Sequence, residues 1–336
     1  MTKAKLLFDP FSEDFFNGAY ETYRRMREEA PVYYNEEHDF YALSRHEDVA
    51  PAFKDFDTYS SAYGVDLTSV RSGELPTEGG QKMIIFMDPP EHRHMRSLLN
   101  KVFTPRAIQS QWEMVTQKVE KYLGQVDPDG FDAVQEFTAP FPVEVITTML
   151  GVPEEHAQKI RHWIDESLHR EIGQVEISEK GMQANIDTTM FYHDLVQKRR
   201  ADLKDDLFSK LIEAELEHEN GEKTRLDDIE ITAFATLLGA AGAETVTKLV
   251  GGAVYVFARY PEQWQKLHDD RSKIPAAVEE LLRYEAPSQY NVRRSMKEVH
   301  LHGTTIPEGK PVFLMGVLGQ PGRAGVDRCR QVRHRP

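Results

Sequence analysis

Apolar positions recur with helical spacing along most of this chain, while short runs suited to strands lie towards its two ends. Residues 18–30 form an amphipathic segment that Pro31 stops. The runs VYYN and FYAL flank the polar EEHD and predict a short hairpin. Residues 60–82 are rich in turn formers and predict a long loop, a kind of segment that in compact domains is functional or disordered. Asp88 then reads as an N-cap with Pro89 in the first helical turn, and Thr104-Pro105 starts another helix. Helical patterns fill residues 105–285, with breaks near 124–130, at Pro140 and Pro142, at Gly151 and Pro153, at 219–225 and at Pro261. From residue 286 the pattern changes, and VHLHG, TTIPEG and KPVFLMG predict short strands around a proline–glycine turn. The fold class is mainly α with a small β portion, in one large domain.

The helix predicted over residues 227–258 has a nearly continuous apolar middle, ITAFATLLGAAGA, followed at once by Glu244-Thr245. A glycine inside a helix costs about 1 kcal/mol relative to alanine, so Gly239 and Gly242 need a reason. Close approach by another helix is one; close approach by a flat ligand is the other. Thr245 can bond the carbonyl of Ala241 and bend the helix. Glu244 must be paired, wet or turned into solvent.

His92, Arg93, His94 and Arg96 put cations into the first turns of a helix, where the macrodipole favours anions. His92 and Arg96 share a face. An anionic partner would account for them; a solvated face softened by Glu91 is the plain alternative. No third ligand follows His92 and His94 at metal spacing, so no metal site is read there. His156, His162 and His169 lie along a polar amphipathic helix and read as surface. Glu280 and Arg283 are three apart and can meet. Arg293 and Arg294 stand just ahead of the C-terminal strands. Met83, Ile84, Ile85 and Phe86 could wall a pocket for a lipophilic molecule or pack their loop onto the core.

Composition narrows the function classes. The net charge of −14 argues against nucleic acid or an anionic membrane as partner. A single cysteine, Cys329, excludes an intrachain disulfide and suits a reducing cytoplasm. The N-terminus MTKAKLLFDPFSEDFF carries no run of signal or anchor length, and no membrane-spanning stretch is read elsewhere. A cytoplasmic protein is expected.

Taken in order, four of these motifs resemble those of a soluble bacterial cytochrome P450. DPPEHRHMR is similar to the family segment whose His and Arg contact haem propionates, here His92 and Arg96. AGAET, Ala241 to Thr245, is similar to the family's Ala-Gly-x-acid-Thr motif, and Glu280 to Arg283 matches its Glu-x-x-Arg element. Arg293, six after Pro287, falls where the family places a further propionate contact. The resemblance runs from about residue 8 to residue 316. It implies a haem monooxygenase acting on a small lipophilic substrate, with electrons from a separate ferredoxin-type partner. It also implies that Ala241 and Gly242 let the helix come close to the haem, that Thr245 hydrogen-bonds dioxygen and that Glu244 relays protons.

The resemblance stops after PVFLMG. The family's axial ligand lies in a run of the type Phe-x-x-Gly-x-x-x-Cys-x-Gly, and this chain reads VLGQPGRAGVDRCRQVRHRP instead. Codons for the family's Ser-Ala-Asn-Arg-Asp, read one base out of frame, give Leu-Gly-Gln-Pro-Gly, the residues 318–322. A frameshift near residue 317 is therefore expected, with an incomplete cytochrome P450-like domain over 1–316 and an out-of-frame tail over 317–336. Cys329 has Gly325 four residues before it, but Gly322 and Gln331 stand where the motif has Phe and Gly. It is not read as a metal ligand. The alternative function is a non-catalytic product that cannot hold haem through a thiolate. Exposed apolar surface is expected near Glu280 and Arg283.

Overall fold

Helix Tyr20–Glu29 buries Tyr23 and Met26 and ends before Pro31, which has no N–H to continue the ladder. The computed structural model, which describes residues 6–78, 80, 82–217 and 222–316, then turns into the expected hairpin. Strands Val32–Asn35 and Phe40–Leu43 pair antiparallel, Val32 opposite Leu43 and Asn35 opposite Phe40. The second strand runs parallel to Pro311–Leu314, which pairs antiparallel with Asn291–Ser295. Tyr59–Ser60 closes this five-stranded sheet on the other side of Asn291–Ser295. Strand periodicity divides the last strand between two cores. Phe313 packs with Phe8, Tyr23, Met26 and Phe40, while Val312 and Leu314 pack with Val32, Val49 and Tyr59. Val299–Leu301 and Thr304–Ile306 form a separate hairpin.

Three sequence expectations change. The segment 60–82 is not all loop, because Leu67–Ser72 is helical. Asp66 caps it by accepting the Ser69 N–H at 2.9 Å, and Gly73, at φ +74°, ends it in the left-handed region. Asp88 is not an N-cap: the helix begins at Glu91, and the Asp88 carboxylate is taken by Ser60 and Ser61. Arg293 and Arg294 lie within a strand rather than ahead of one. Residues 317–336, which hold the frameshift reading and Cys329, lie outside the described residues.

The helical body gathers on Asp228–Arg259. Its start is a capping box: Asp227 accepts the Glu230 N–H at 2.7 Å, and Glu230 accepts the Asp227 N–H at 2.9 Å. Ile231, Ala235, Gly239 and Ala243 are buried along one face, in or beside a core of Leu98, Leu99, Ile146, Leu150, Tyr192 and Leu195. The two glycines are there for neighbouring helices. A Cβ on Gly239 would stand 2.6 Å from the Tyr192 hydroxyl, and one on Gly242 would stand 2.9 Å from Ile146 Cγ1. Of the two reasons open in the sequence, helix packing is the one seen.

Beyond Ala243 the long helix buries only Val256. The next helices, Pro261–Asp269 and Ile274–Tyr284, bury no residue fully. Trp264 is 57% exposed, and Val254, Tyr255, Val278 and Leu282 are exposed as well. The expected apolar surface near Glu280 and Arg283 is present. The sequence reading found no membrane-spanning stretch, yet Asp228–Arg259 is long and apolar enough to cross a bilayer. Its contacts with Pro140–Leu150 and Glu179–Ala201 make it the central element of the helical body.

The Gly239–Tyr192 contact sets a double-mutant test. Gly239→Ala should lose about 1–3 kcal/mol of stability through overpacking, despite the better helix propensity. Tyr192→Phe removes a buried hydroxyl that has no hydrogen-bond partner, so it should be neutral or stabilising. In the Tyr192→Phe background the alanine penalty should shrink, because the nearest obstructing atom is gone; urea melts of the four proteins measure the coupling. Asp227→Ala should cost about 1 kcal/mol by opening the capping box, read in the same melts.

Candidate functional site

Helix Glu91–Val102 is oriented by its apolar face. Met95, Leu98, Leu99 and Val102 are buried in the helical core, which turns His92 and Arg96 to other sides. His92 is half-buried and Arg96 exposed. Among the described residues no hydrogen bond or ion pair engages either side chain. Arg293 comes from the sheet. Val292 points into the core, so its neighbour emerges on the opposite face. The Arg293 guanidinium bonds the carbonyl of Val292 at 3.0 Å and lies 5.8 Å from the ring centre of Phe53. Burial pushes its pKa below the ordinary guanidinium value, and the Asp88 charge opposes the shift. Among the described residues no carboxylate bonds it.

Arg294 differs from Arg293. It donates to the Val70 carbonyl at 3.2 Å, lies 4.6 Å from the Tyr63 ring centre and packs over Gly73 and Gly309. It is a structural brace between strand and loop. Arg283 forms a two-pronged bond to Glu280, at 2.6 and 2.7 Å.

On the long helix, Ala241 and Thr245 share an exposed face with Lys248, while Gly242 is turned onto Ile146. The Thr245 hydroxyl donates to the Ala241 carbonyl at 2.7 Å, the bond its position in the sequence suggested. Glu244 is half-buried and pairs with Lys248 at 2.7 Å. Across from it, burial and the Glu244 charge push the Asp165 carboxyl above the ordinary value, against the opposing Arg161. The structure thus brings Arg293 to the Asp88 entry of the His92–Arg96 helix. It leaves Glu244 and Thr245 unconnected to those cations by any hydrogen bond or ion pair of the described residues. Ile84 is buried in the helical core, and Met83, Ile85 and Phe86 are half-exposed around it.

Sequence reasoning missed two residues here. Asp165 gives no signal, because an acid on a polar amphipathic helix reads as surface. Asp88 gave one: the following Pro89-Pro90 can start a helix only if the acid before them lies outside it.

A half-buried guanidinium without an anion, and two further cations without a described partner, suit a ligand carrying more than one carboxylate. Comparison with known proteins names one. A cytochrome P450 family profile matches residues 12–317. The chain is 39% identical to "Putative cytochrome P450 123" of Mycobacterium tuberculosis over 96% of its own length and 78% of that protein's. It is 33% identical to the erythromycin C-12 hydroxylase of Saccharopolyspora erythraea, over 84% of this chain and 68% of that one. Among solved structures, cytochrome P450 CYP109Q5 from Chondromyces apiculatus superposes with a TM-score of 0.83 at 28% identity, covering 98% of this chain and 81% of that one. Haem, the family's cofactor, has two carboxylates that fit the unpartnered cations; a thiolate donor is not among the described residues. A fold built around one long helix, with these cations at its side and a family match over most of its length, makes this chain a member of the cytochrome P450 family.

Proposed function

We propose that His92, Arg96 and Arg293 hold the haem carboxylates, and that Glu244 and Thr245 manage protons for insertion of one oxygen atom into a small lipophilic substrate. The observation that carries this reading is Arg293, a desolvated guanidinium whose bonded and stacked partners among the described residues are a backbone carbonyl and an aromatic ring. Leaving such a group without an anion is costly, and a bound carboxylate removes most of that cost. When bound, haem supplies the oxygen-activating redox chemistry, and the protein supplies binding, orientation and protons.

Thr245 has one hydroxyl hydrogen, now given to Ala241, and an exposed oxygen that can accept another. Releasing the Ala241 bond turns it into a donor on the open face of the helix. Glu244, one residue earlier, sits between solvent-exposed Lys248 and the half-shielded Asp165 region. That position suits a carboxylate that takes protons from water and passes them inward. The half-exposed Ile85 and Phe86 support an apolar substrate, as does the named substrate of the erythromycin hydroxylase relative. Electrons come in this reading from a separate ferredoxin-type protein, and the chain works in the cytoplasm.

A second reading is favoured by one observation. Among the described residues there is no cysteine, and the helices Pro261–Asp269 and Ile274–Tyr284 bury nothing fully. A chain of this kind could keep the fold and the cations yet hold haem without thiolate, or not at all. Haem-supplied protein, reduced and exposed to carbon monoxide, separates the two. A strongly red-shifted Soret band supports the monooxygenase, and a band without that shift, or no band, supports the non-catalytic reading. Arg293→Leu should weaken haemin binding by about 10- to 100-fold in absorbance titrations. In a thiolate-ligated preparation, Thr245→Ala and Glu244→Gln should leave haemin affinity unchanged and lower turnover by about 100-fold or more.

A further inference from the structure

We infer that Asp88 is a positioning residue for the haem carboxylate site: it ties the helix carrying His92 and Arg96 to the edge strand Tyr59–Ser60, which pairs with the strand carrying Arg293, and so sets the spacing of the three side chains. The ligand in this inference comes from the reading above; the tie itself comes from hydrogen bonds. Both oxygens of the carboxylate are used. One accepts the Ser61 N–H at 3.0 Å and the other accepts the Ser60 hydroxyl. The backbone carbonyl of the same residue accepts the His92 N–H at 3.0 Å, which begins the turn into Glu91–Val102. Ser60 is buried and stands opposite Arg294 in the sheet register, next to Arg293 along the strand.

An acid beside a site for carboxylates needs a physical reason. A serine or threonine would have to take both donors on one oxygen atom, whereas here each donor has an oxygen of its own. A carboxylate accepts both and forms charge-assisted bonds, which are stronger than neutral ones. Its remaining charge works in favour of Arg293, whose burial otherwise disfavours the charged form. Asp88 therefore holds two elements together and offsets part of the burial cost of the Arg293 charge, with no hydrogen bond or ion pair between the two side chains among the described residues. Among the described residues no acid bonds that guanidinium, which leaves it available to the ligand's carboxylate.

Spin labels at the exposed positions Ser97 and Lys297, in a Cys329→Ser background, report the distance between helix and sheet in the ligand-free chain. Asp88→Ala should broaden that distance distribution and weaken haemin binding about 10- to 100-fold, the range for a residue that orients others. Asp88→Asn keeps an acceptor for Ser61 and a partner for Ser60, so it should restore the narrow distribution and recover only part of the affinity. Ser60→Ala removes a single bond and serves if Asp88→Ala does not fold; it should broaden the distribution less. An unchanged distribution in both Asp88→Ala and Ser60→Ala overturns the tie. A broadened distribution with wild-type haemin affinity overturns its role towards the ligand. If the distribution broadens and the unaltered chain takes up no haemin at all, the tie stands and the haem reading falls.

Discussion

The constraint that orients the candidate site is the approach of two helices to the middle of Asp228–Arg259. The Tyr192 hydroxyl lies where a side chain on residue 239 would begin, and Ile146 lies where one on residue 242 would begin. Helices with side chains between them sit 8–10 Å apart, and glycine allows a nearer approach. This packing fixes the rotation of the long helix. With Gly239 and Gly242 committed to neighbours, Ala241 and Thr245 have to face the other way, onto the open side. The side chain proposed to handle protons at Thr245 is thus aimed by the packing of two glycines. The same rotation puts Glu244 at the boundary, near enough to the helix Glu154–Leu168 for its charge to be felt by Asp165.

A second constraint acts through electrostatics. Arg293 makes no ion pair among the described residues, and its burial works against its charge. In a protein that used it only for stability, a nearby carboxylate would be expected to bond it, as Glu280 bonds Arg283 and Asp206 bonds Arg199. Here the nearest acid, Asp88, has both its oxygens occupied by serines. The result is a guanidinium without a bonded acid among the described residues, as the proposed role in holding a ligand carboxylate requires.

Much of this was legible in the sequence where local physics decides. The helix start near residue 227, the stop at Pro31, the hairpin around EEHD and the Thr104-Pro105 start each depend on neighbours within a few residues. The strand Asn291–Ser295 was not legible, because it is held by Pro311–Leu314 and Tyr59–Ser60 rather than by its own pattern, with two arginines in its middle. The helix Leu67–Ser72 hid among turn formers for the same reason. At the candidate site, residue types and order were enough to name His92, Arg96, Arg293, Glu244 and Thr245. What the glycines touch was not, since a helix and a flat ligand demand the same small residue. The role of Asp88 was misplaced because an acid before proline is the usual mark of a helix start, and only the sheet shows where its oxygens go.

The parallel pairing of Phe40–Leu43 with Pro311–Leu314 has a consequence for the order of events on the ribosome. The hairpin emerges early, and its partner strand emerges only after the whole helical body has been made. Until then Leu43 and Phe40 lack one neighbour, and Arg293 has no sheet to hold it. Nascent chains can therefore assemble the helical body while Arg293 and the helix carrying His92 and Arg96 are still apart. Competence to receive a prosthetic group arrives late in synthesis, as the final act of the sheet.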